Sequence, residues 1–140
     1  MIVVADSSSL ITLARARQLD LLREFYSEIA VPPEVYDEVT VAGAGLGSGE
    51  RGALCLASAL GADMVLIDEG RARRAARGVG LAVAGSIAIL ERGAKLGKIA
   101  DLRSVYLNLL DQGIRFDRRL LERSLANLGL AGLGRTSPQT

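Results

Sequence analysis

The fold is best indicated by Met1-Ile-Val-Val-Ala-Asp6-Ser-Ser-Ser-Leu10, because an unbroken apolar run here ends at one carboxylate and leads into a helical pattern. Val and Ile in such a run are typical of a strand buried on both faces, as in a parallel sheet. A strand that feeds straight into a helix places Asp6 at its carboxyl end, where open α/β sheets bind their ligands. The alternative is that Asp6 or Ser7 only caps the helix, since short oxygen-bearing side chains accept hydrogen bonds from its first N–H groups.

Strand and helix patterns alternate along the rest of the chain. Strands are predicted at 28–31, 62–67 and 80–84, and helices at 8–17, 18–26, 34–39, 50–60, 71–77, 86–94, 100–111 and 117–128. An additional edge strand at 114–116 is a further expectation. This alternation predicts an α/β fold, a three-layer α/β/α sandwich around a mostly parallel sheet of four to five strands. We expect a single domain at 1–128 and a disordered C-terminal tail at 129–140, rich in Gly, Ser and Pro.

The overall composition narrows the chemistry that the chain can perform. Its 140 residues include 17 Lys and Arg, 16 Asp and Glu, and no histidine. Without histidine a Ser-His-Asp or Cys-His nucleophile cannot form, and a zinc site is disfavoured. Catalysis would therefore have to use carboxylates, hydroxyls and hard cations. The net charge of +1 leaves a nucleic-acid partner open, so any basic surface has to be local.

The sequence also bears on where the protein resides. Its single cysteine, Cys55, lies in an apolar run, which fits a buried side chain in a reducing compartment. The first residues lack the basic start and apolar core of a signal peptide. The longest uncharged stretch, residues 78–90, is shorter than the roughly 20 apolar residues that cross a bilayer. We therefore expect a cytoplasmic protein without a membrane partner.

Four acids lie at positions that the predicted parallel sheet would bring close together. Asp6 and Asp68 end strands, and Glu38 and Glu50 lie on helices that flank a glycine-rich loop at 41–49. Grouped carboxylates repel one another and lose solvation unless a cation offsets their charge. Mg²⁺ or Mn²⁺ suits oxygen-only ligands, acidifies a bound water and stabilises the attacking and leaving oxygens at phosphorus. Each acid also has a plainer interpretation, such as a favourable interaction of Glu50 with the dipole of its own helix.

Taken together, these motifs resemble a PIN domain, and more narrowly the PIN-like branch close to VapC-type toxin ribonucleases. The resemblance runs over residues 1–125 and is carried, in order, by Val3-Val-Ala-Asp-Ser-Ser-Ser-Leu-Ile11, Val31-Pro-Pro-Glu-Val-Tyr-Asp-Glu-Val39, Gly49-Glu50 and Leu66-Ile-Asp-Glu-Gly-Arg-Ala72. It implies an endoribonuclease that hydrolyses RNA phosphodiester bonds with Mg²⁺ or Mn²⁺. It also implies a homodimer, and a small antitoxin protein that holds the enzyme inactive.

Carried over by position, the resemblance assigns catalysis and metal binding to four acids, which are Asp6, Glu38, Glu50 and Asp68. The supporting residues are Ser7 or Ser8 beside the first acid, Glu69 beside the last, and Ser86. Glu50 stands where such proteins usually have Asp, and Ser86 stands where a fifth acid would follow the fourth strand. Glu69 remains an alternative to Asp68, and Glu34 to Glu38, although Glu38 lies one turn deeper in its helix.

A run of arginines follows Asp68 on a helix that would lie beside the acids, and its members are Arg71, Arg73, Arg74 and Arg77. We predict that they contact RNA phosphates, because an acidic site needs nearby cations to hold a polyanion. The alternative is an ordinary solvated helix face. A second and weaker basic group consists of Arg115, Arg118, Arg119 and Arg123. With 2 Phe, 3 Tyr and no Trp, base stacking would contribute little to recognition.

A second hypothesis is a PIN fold that has lost catalysis and serves as a binding or regulatory module, which the small acidic set would suit. Two other classes do not fit the sequence. A receiver-like phosphoacceptor domain would need an acidic pair after the first strand, and none is present. A haloacid-dehalogenase-like phosphatase would need Asp6 to be followed by x-Asp rather than by Ser-Ser.

Overall fold

The computed structural model describes residues 2–26, 28–31, 61–68 and 70–134 of the chain. The elements in these residues are, in order, β1 (Ile2–Ala5), α1 (Ser7–Arg15), α2 (Asp20–Phe25), β2 (Glu28–Ala30), β3 (Met64–Leu66), α3 (Gly70–Gly78), β4 (Ala82–Ala84), α4 (Ser86–Lys95), α5 (Leu102–Asp111) and α6 (Arg118–Asn127). The predicted helices at 34–39 and 50–60, the loop at 41–49 and Cys55 lie outside the described residues. Within the described ranges, no helix is long and apolar enough to cross a membrane.

Four strands form a parallel sheet in the order β2-β1-β3-β4. Val3 of β1 pairs with Ile29 of β2 on one side and with Met64 of β3 on the other, so β1 is a central strand. β3 pairs in turn with β4, from Met64 opposite Ala82 to Leu66 opposite Ala84. The predicted α/β fold with a parallel sheet is confirmed.

The first strand is buried on both faces, as its unbroken apolar run predicts. Val3, Val4 and Ala5 are each 0% exposed. On one face, β1 and β3 pack against α3 in a cluster of Val4, Val65, Ile67, Ala72 and Ala76. Burying aliphatic side chains of this kind contributes roughly 25 cal/mol per Å² of apolar surface, so the sheet that carries Asp6 and Asp68 is well supported.

The edge strand expected at 114–116 is wrong, because these described residues form no strand. They leave helix α5 through a C-terminal cap instead. Gly113 adopts a left-handed backbone, with φ at 86°. The Ile114 N–H then donates to the Leu109 carbonyl at 3.1 Å. This 6→1 bond is the usual way in which glycine ends a helix, and it turns the Ile114 N–H away from any strand partner.

The chain divides into two compact units, Met1–Ile89 and Leu90–Thr140. The first unit holds the sheet. In the second, α5 and α6 bury an aliphatic core around Tyr106, whose hydroxyl lies 2.6 Å from that of Ser124. Burial raises the pKa of Tyr106 to about 12, so this hydroxyl stays neutral. The single domain expected over 1–128 stays a prediction.

The residues after α6 are held through Gly134 by hydrogen bonds within the second unit. Arg103 donates from Nε to the Gly132 carbonyl at 2.7 Å and from Nη2 to the Leu133 carbonyl at 3.2 Å. The Leu133 N–H donates to Glu122 Oε1 at 3.1 Å, and the Leu133 side chain is 4% exposed. Residues 132–134 therefore make hydrogen bonds and bury the Leu133 side chain within the second unit. Residues 135–140 lie outside the described residues, and their disorder stays a prediction.

Candidate active site

The strand order creates a topological switch between β1 and β3. From β1 the chain moves to β2 on one side of the sheet and then returns to β3 on the other. Connections that leave neighbouring strands in opposite directions open a space at their carboxyl ends, and parallel α/β sheets bind ligands there. Asp6 directly follows β1, and Asp68 lies two residues after β3. Two of the four predicted acids therefore share this edge of the sheet.

Asp6 is fixed between the sheet and the first turn of α1. Its backbone N–H donates to the Leu66 carbonyl at 3.1 Å, which extends the β1–β3 pairing to the acid itself. Its Oδ1 accepts from the Ser9 N–H at 3.1 Å. The Ser8 hydroxyl donates to both carboxylate oxygens, at 3.0 and 3.1 Å. Asp6 is thus a helix cap, and because it is 0% exposed the same contacts hold its carboxylate rigidly at the sheet edge.

Asp68 caps α4, a helix that begins 18 residues later in the sequence. Its Oδ1 accepts from the Ser86 backbone N–H at 2.6 Å, and its Oδ2 accepts from the Ser86 hydroxyl at 2.7 Å. Ser86 is the first residue of α4 and is 0% exposed. A carboxylate at a helix N-terminus is stabilised by the helix dipole. Ser86, which the sequence placed where a fifth acid would stand, is therefore a donor to Asp68.

Burial raises the pKa of Asp68 above its ordinary value of 3.8. The hydrogen bonds from Ser86, the charge of Arg73 and the Ser9 hydroxyl oppose this rise. Because desolvation is the largest effect, the fold without a metal disfavours the ionised form of Asp68. A cation at this edge of the sheet would favour that form.

Ser9 lies close to both carboxylates. Its N–H donates to Asp6, and its hydroxyl lies near enough to Asp68 to lower the pKa of that acid. The hydroxyl is buried but is outside hydrogen-bonding geometry to any partner in the described part of the chain. Leaving such a group unbonded costs about 1–3 kcal/mol. Two carboxylates beside an unbonded hydroxyl form an all-oxygen donor set, which fits Mg²⁺ or Mn²⁺ together with its water ligands.

Arg73 reaches the same edge from α3. Its Nη1 donates to the Ile67 carbonyl at 3.4 Å. Gly85 lies against both charged groups, because a Cβ built there would be 2.6 Å from Arg73 Nη1 and 2.6 Å from Asp68 Oδ1. The guanidinium and the carboxylate therefore both lie over Gly85, and a side chain there would require one or both of them to shift.

The remaining arginines predicted to contact RNA, which are Arg71, Arg74 and Arg77, are exposed on α3. Ser7 is 2% exposed and is the first residue of α1. Three predicted site residues, Glu38, Glu50 and Glu69, lie outside the described residues. Over the described ranges, no group of three or more Asp, Glu, His or Cys side chains is placed to hold a metal. The complete acid set thus stays a prediction, of which the structure places two members.

Ser9 and Gly85 were missed as site residues, although the sequence carries a signal for Ser9. It stands three residues after Asp6, the spacing at which a helix N–H reaches a capping carboxylate. The sequence also distinguishes Arg73 from the exposed arginines, because it lies next to Ala72 and three residues before Ala76, which are on the buried side of α3. No local pattern marks Gly85, because its neighbours come from elsewhere in the chain.

Comparison with known proteins gives a family match over most of the chain. The family model DUF3368, described as a PIN domain, matches residues 2–46 and 43–130. These overlapping segments run from β1 to the end of α6 and contain both Asp6 and Asp68. No curated protein and no solved structure matches the chain.

Proposed function

The chain belongs to the PIN-domain family, and on this basis we propose that it is a metal-dependent endoribonuclease that hydrolyses RNA phosphodiester bonds. PIN domains are generally nucleases, which typically use divalent metal ions. The proposal is supported above all by the placement of Asp6 and Asp68 at the carboxyl ends of adjacent strands, with Ser9 bonded to Asp6 and near Asp68. Restriction to RNA rests on the resemblance to VapC-type ribonucleases.

In this proposal four acids, Asp6, Glu38, Glu50 and Asp68, hold Mg²⁺ or Mn²⁺. When bound, such an ion acidifies a water molecule and stabilises the charge that develops on the phosphate oxygens. The chain itself supplies orientation. The Ser8 hydroxyl and the Ser9 N–H hold Asp6, and Ser86 holds Asp68 through two hydrogen bonds. Donors that orient ligands in this way commonly change metal affinity or activity by about 10–100-fold when they are removed.

The exposed arginines of α3 are the proposed contacts to RNA phosphates. The helix begins at Gly70, two residues after Asp68, so its first turns lie close to the acids. Phosphate contacts of this kind are independent of base sequence and weaken steeply as salt concentration rises. This suits a chain with few aromatic side chains for base stacking.

The resemblance also leads us to propose a cytoplasmic homodimer that acts as the toxin of a toxin–antitoxin pair. Light scattering that shows a monomer at micromolar concentration would argue against the homodimer. If the chain is a toxin, its expression should arrest growth, and the Asp68→Asn variant should not.

Cleavage of single-stranded RNA by the purified chain, with Mn²⁺ or Mg²⁺ and with EDTA as the metal-free control, tests the enzymatic proposal. We expect cleavage only with metal, and a loss of about 100-fold in Asp68→Asn. Asp101→Asn is the matched control, because Asp101 is an exposed cap of α5 in the second unit. Equal cleavage by the wild type and Asp68→Asn would contradict the proposal. RNA binding without cleavage or metal binding would support the non-catalytic binding module instead.

A further inference from the structure

Arg73 differs from the other arginines of α3 in where its guanidinium ends. Arg71, Arg74 and Arg77 are exposed, whereas Arg73 is only partly so. Its Nη1 donates to the carbonyl of Ile67, the residue that directly precedes Asp68 and is itself 0% exposed. The positive charge of Arg73 is therefore anchored on the end of the strand that presents the acid.

The guanidinium and the Asp68 carboxylate occupy one small space over Gly85. A Cβ at Gly85 would lie 2.6 Å from an atom of each group, closer than real Cβ atoms approach their neighbours. Glycine is the residue that permits this packing, since it has no side chain. The charge of Arg73 also lowers the pKa of Asp68, so the two groups interact electrostatically.

We propose that Arg73 is the built-in counter-ion of Asp68 in the metal-free protein and that its charge lowers the affinity of the site for a divalent cation. The inference rests on the proposed metal site. A partly buried carboxylate without a counter-charge is costly, and Arg73 reduces that cost while no metal is bound. An incoming cation then binds against the charge of Arg73, because like charges a few ångströms apart repel one another.

A purely structural role for Arg73 predicts the opposite effect on metal binding. If its guanidinium only tied α3 to the Ile67 carbonyl, removing it would loosen Asp68 and weaken the binding of a metal. If it is a counter-ion, removing its charge strengthens metal binding. The sign of the change in affinity therefore separates the two roles, and no RNA cleavage has to be measured.

The experiment is a calorimetric titration of Mn²⁺ into the wild type and variants at low ionic strength. We expect the neutral variants Arg73→Gln and Arg73→Met to bind Mn²⁺ about five- to tenfold more tightly than the wild type. Arg73→Lys keeps the charge and should stay within about twofold of the wild type. Arg77→Gln is the matched control, since it removes the same charge one turn later on α3 from an exposed position.

Two neutral variants are used because one of them could fail to fold, which circular dichroism in EDTA would reveal. Equal or weaker Mn²⁺ binding by a folded neutral variant, with binding retained in the wild type, would overturn the counter-ion role alone. Stronger binding in Arg77→Gln to the same extent would also overturn it, since the effect would not be specific to Arg73. No Mn²⁺ binding by any variant would overturn the proposed metal site and the inference together.

Discussion

Asp6 and Asp101 begin their helices with the same sequence pattern, an aspartate followed three residues later by a serine. In both, Oδ1 of the aspartate accepts from the N–H of that serine at 3.1 Å. The two caps differ in the partner of the serine hydroxyl. Ser104 turns its hydroxyl back to Asp101 Oδ2 at 2.6 Å. The Ser9 hydroxyl has no hydrogen-bond partner within the residues that the structure describes, and it lies near Asp68.

Burial separates the two caps further. Asp6 is 0% exposed at the end of a central strand, whereas Asp101 is exposed at the start of α5. The hydroxyl and then the N–H of Ser104 hold the pKa of Asp101 below its ordinary value, as expected of a carboxylate with a purely structural role. A capping motif alone therefore does not distinguish a structural aspartate from a candidate ligand. What distinguishes Asp6 is its position at the sheet edge, beside a second carboxylate.

The largest difference between Asp6 and Asp101 should appear in Mn²⁺ binding when each aspartate is replaced by asparagine. Asparagine caps a helix about as well as aspartate, so the helix keeps its cap while the charge and one acceptor oxygen are lost in both variants. We expect Asp6→Asn to weaken Mn²⁺ binding by roughly 100-fold and Asp101→Asn to leave it unchanged. Isothermal titration calorimetry measures both affinities, and equal values in the two variants would remove the distinction between the caps.

The contributions of Asp68 and Asp101 to stability should change with pH in opposite directions. Burial raises the folded-state pKa of Asp68 above 3.8, so stability is lost as the pH rises through that folded-state pKa. The folded-state pKa of Asp101 is lowered, so its contribution is present above 3.8 and is lost as the pH falls through the folded-state pKa.

In EDTA near neutral pH, we therefore expect Asp68→Asn to raise the free energy of unfolding and Asp101→Asn to lower it. Both differences should shrink as the pH falls toward about 3. Urea denaturation across this range measures them. A change of the same sign in both variants at neutral pH would contradict the assigned environments.

Truncating the two serine hydroxyls should give the smallest effects. Ser104→Ala removes a hydrogen bond to Asp101 and should slightly lower the free energy of unfolding. Ser9→Ala removes a buried hydroxyl without a partner among the described residues and should raise it, by up to about 1 kcal/mol. Urea denaturation in EDTA compares the two. A loss of stability in Ser9→Ala would show that its hydroxyl is bonded in solution.

Much of the fold was predictable because its signals are local. The β-branched run before Asp6 and the helical spacing after Ser86 each lie within a few residues of the element that they form. The shared location of Asp6 and Asp68 was also predictable, since parallel strands bring their carboxyl ends to one edge. The wrong edge strand at 114–116 shows the limit of this reasoning, because alternation does not supply a neighbouring strand.

The sequence alone indicates which side chains are available for chemistry and which elements carry them. A chain without histidine has to rely on carboxylates and hydroxyls, and a buried strand that ends in Asp6 places one carboxylate at a sheet edge. That Ser86 holds Asp68, and that one of the four arginines of α3, Arg73, lies beside it, is evident only from the three-dimensional structure. The two kinds of contact differ in their range along the chain. Caps and turns form between residues three or four positions apart, whereas contacts across strand ends depend on sheet register and side-chain direction, which core packing sets.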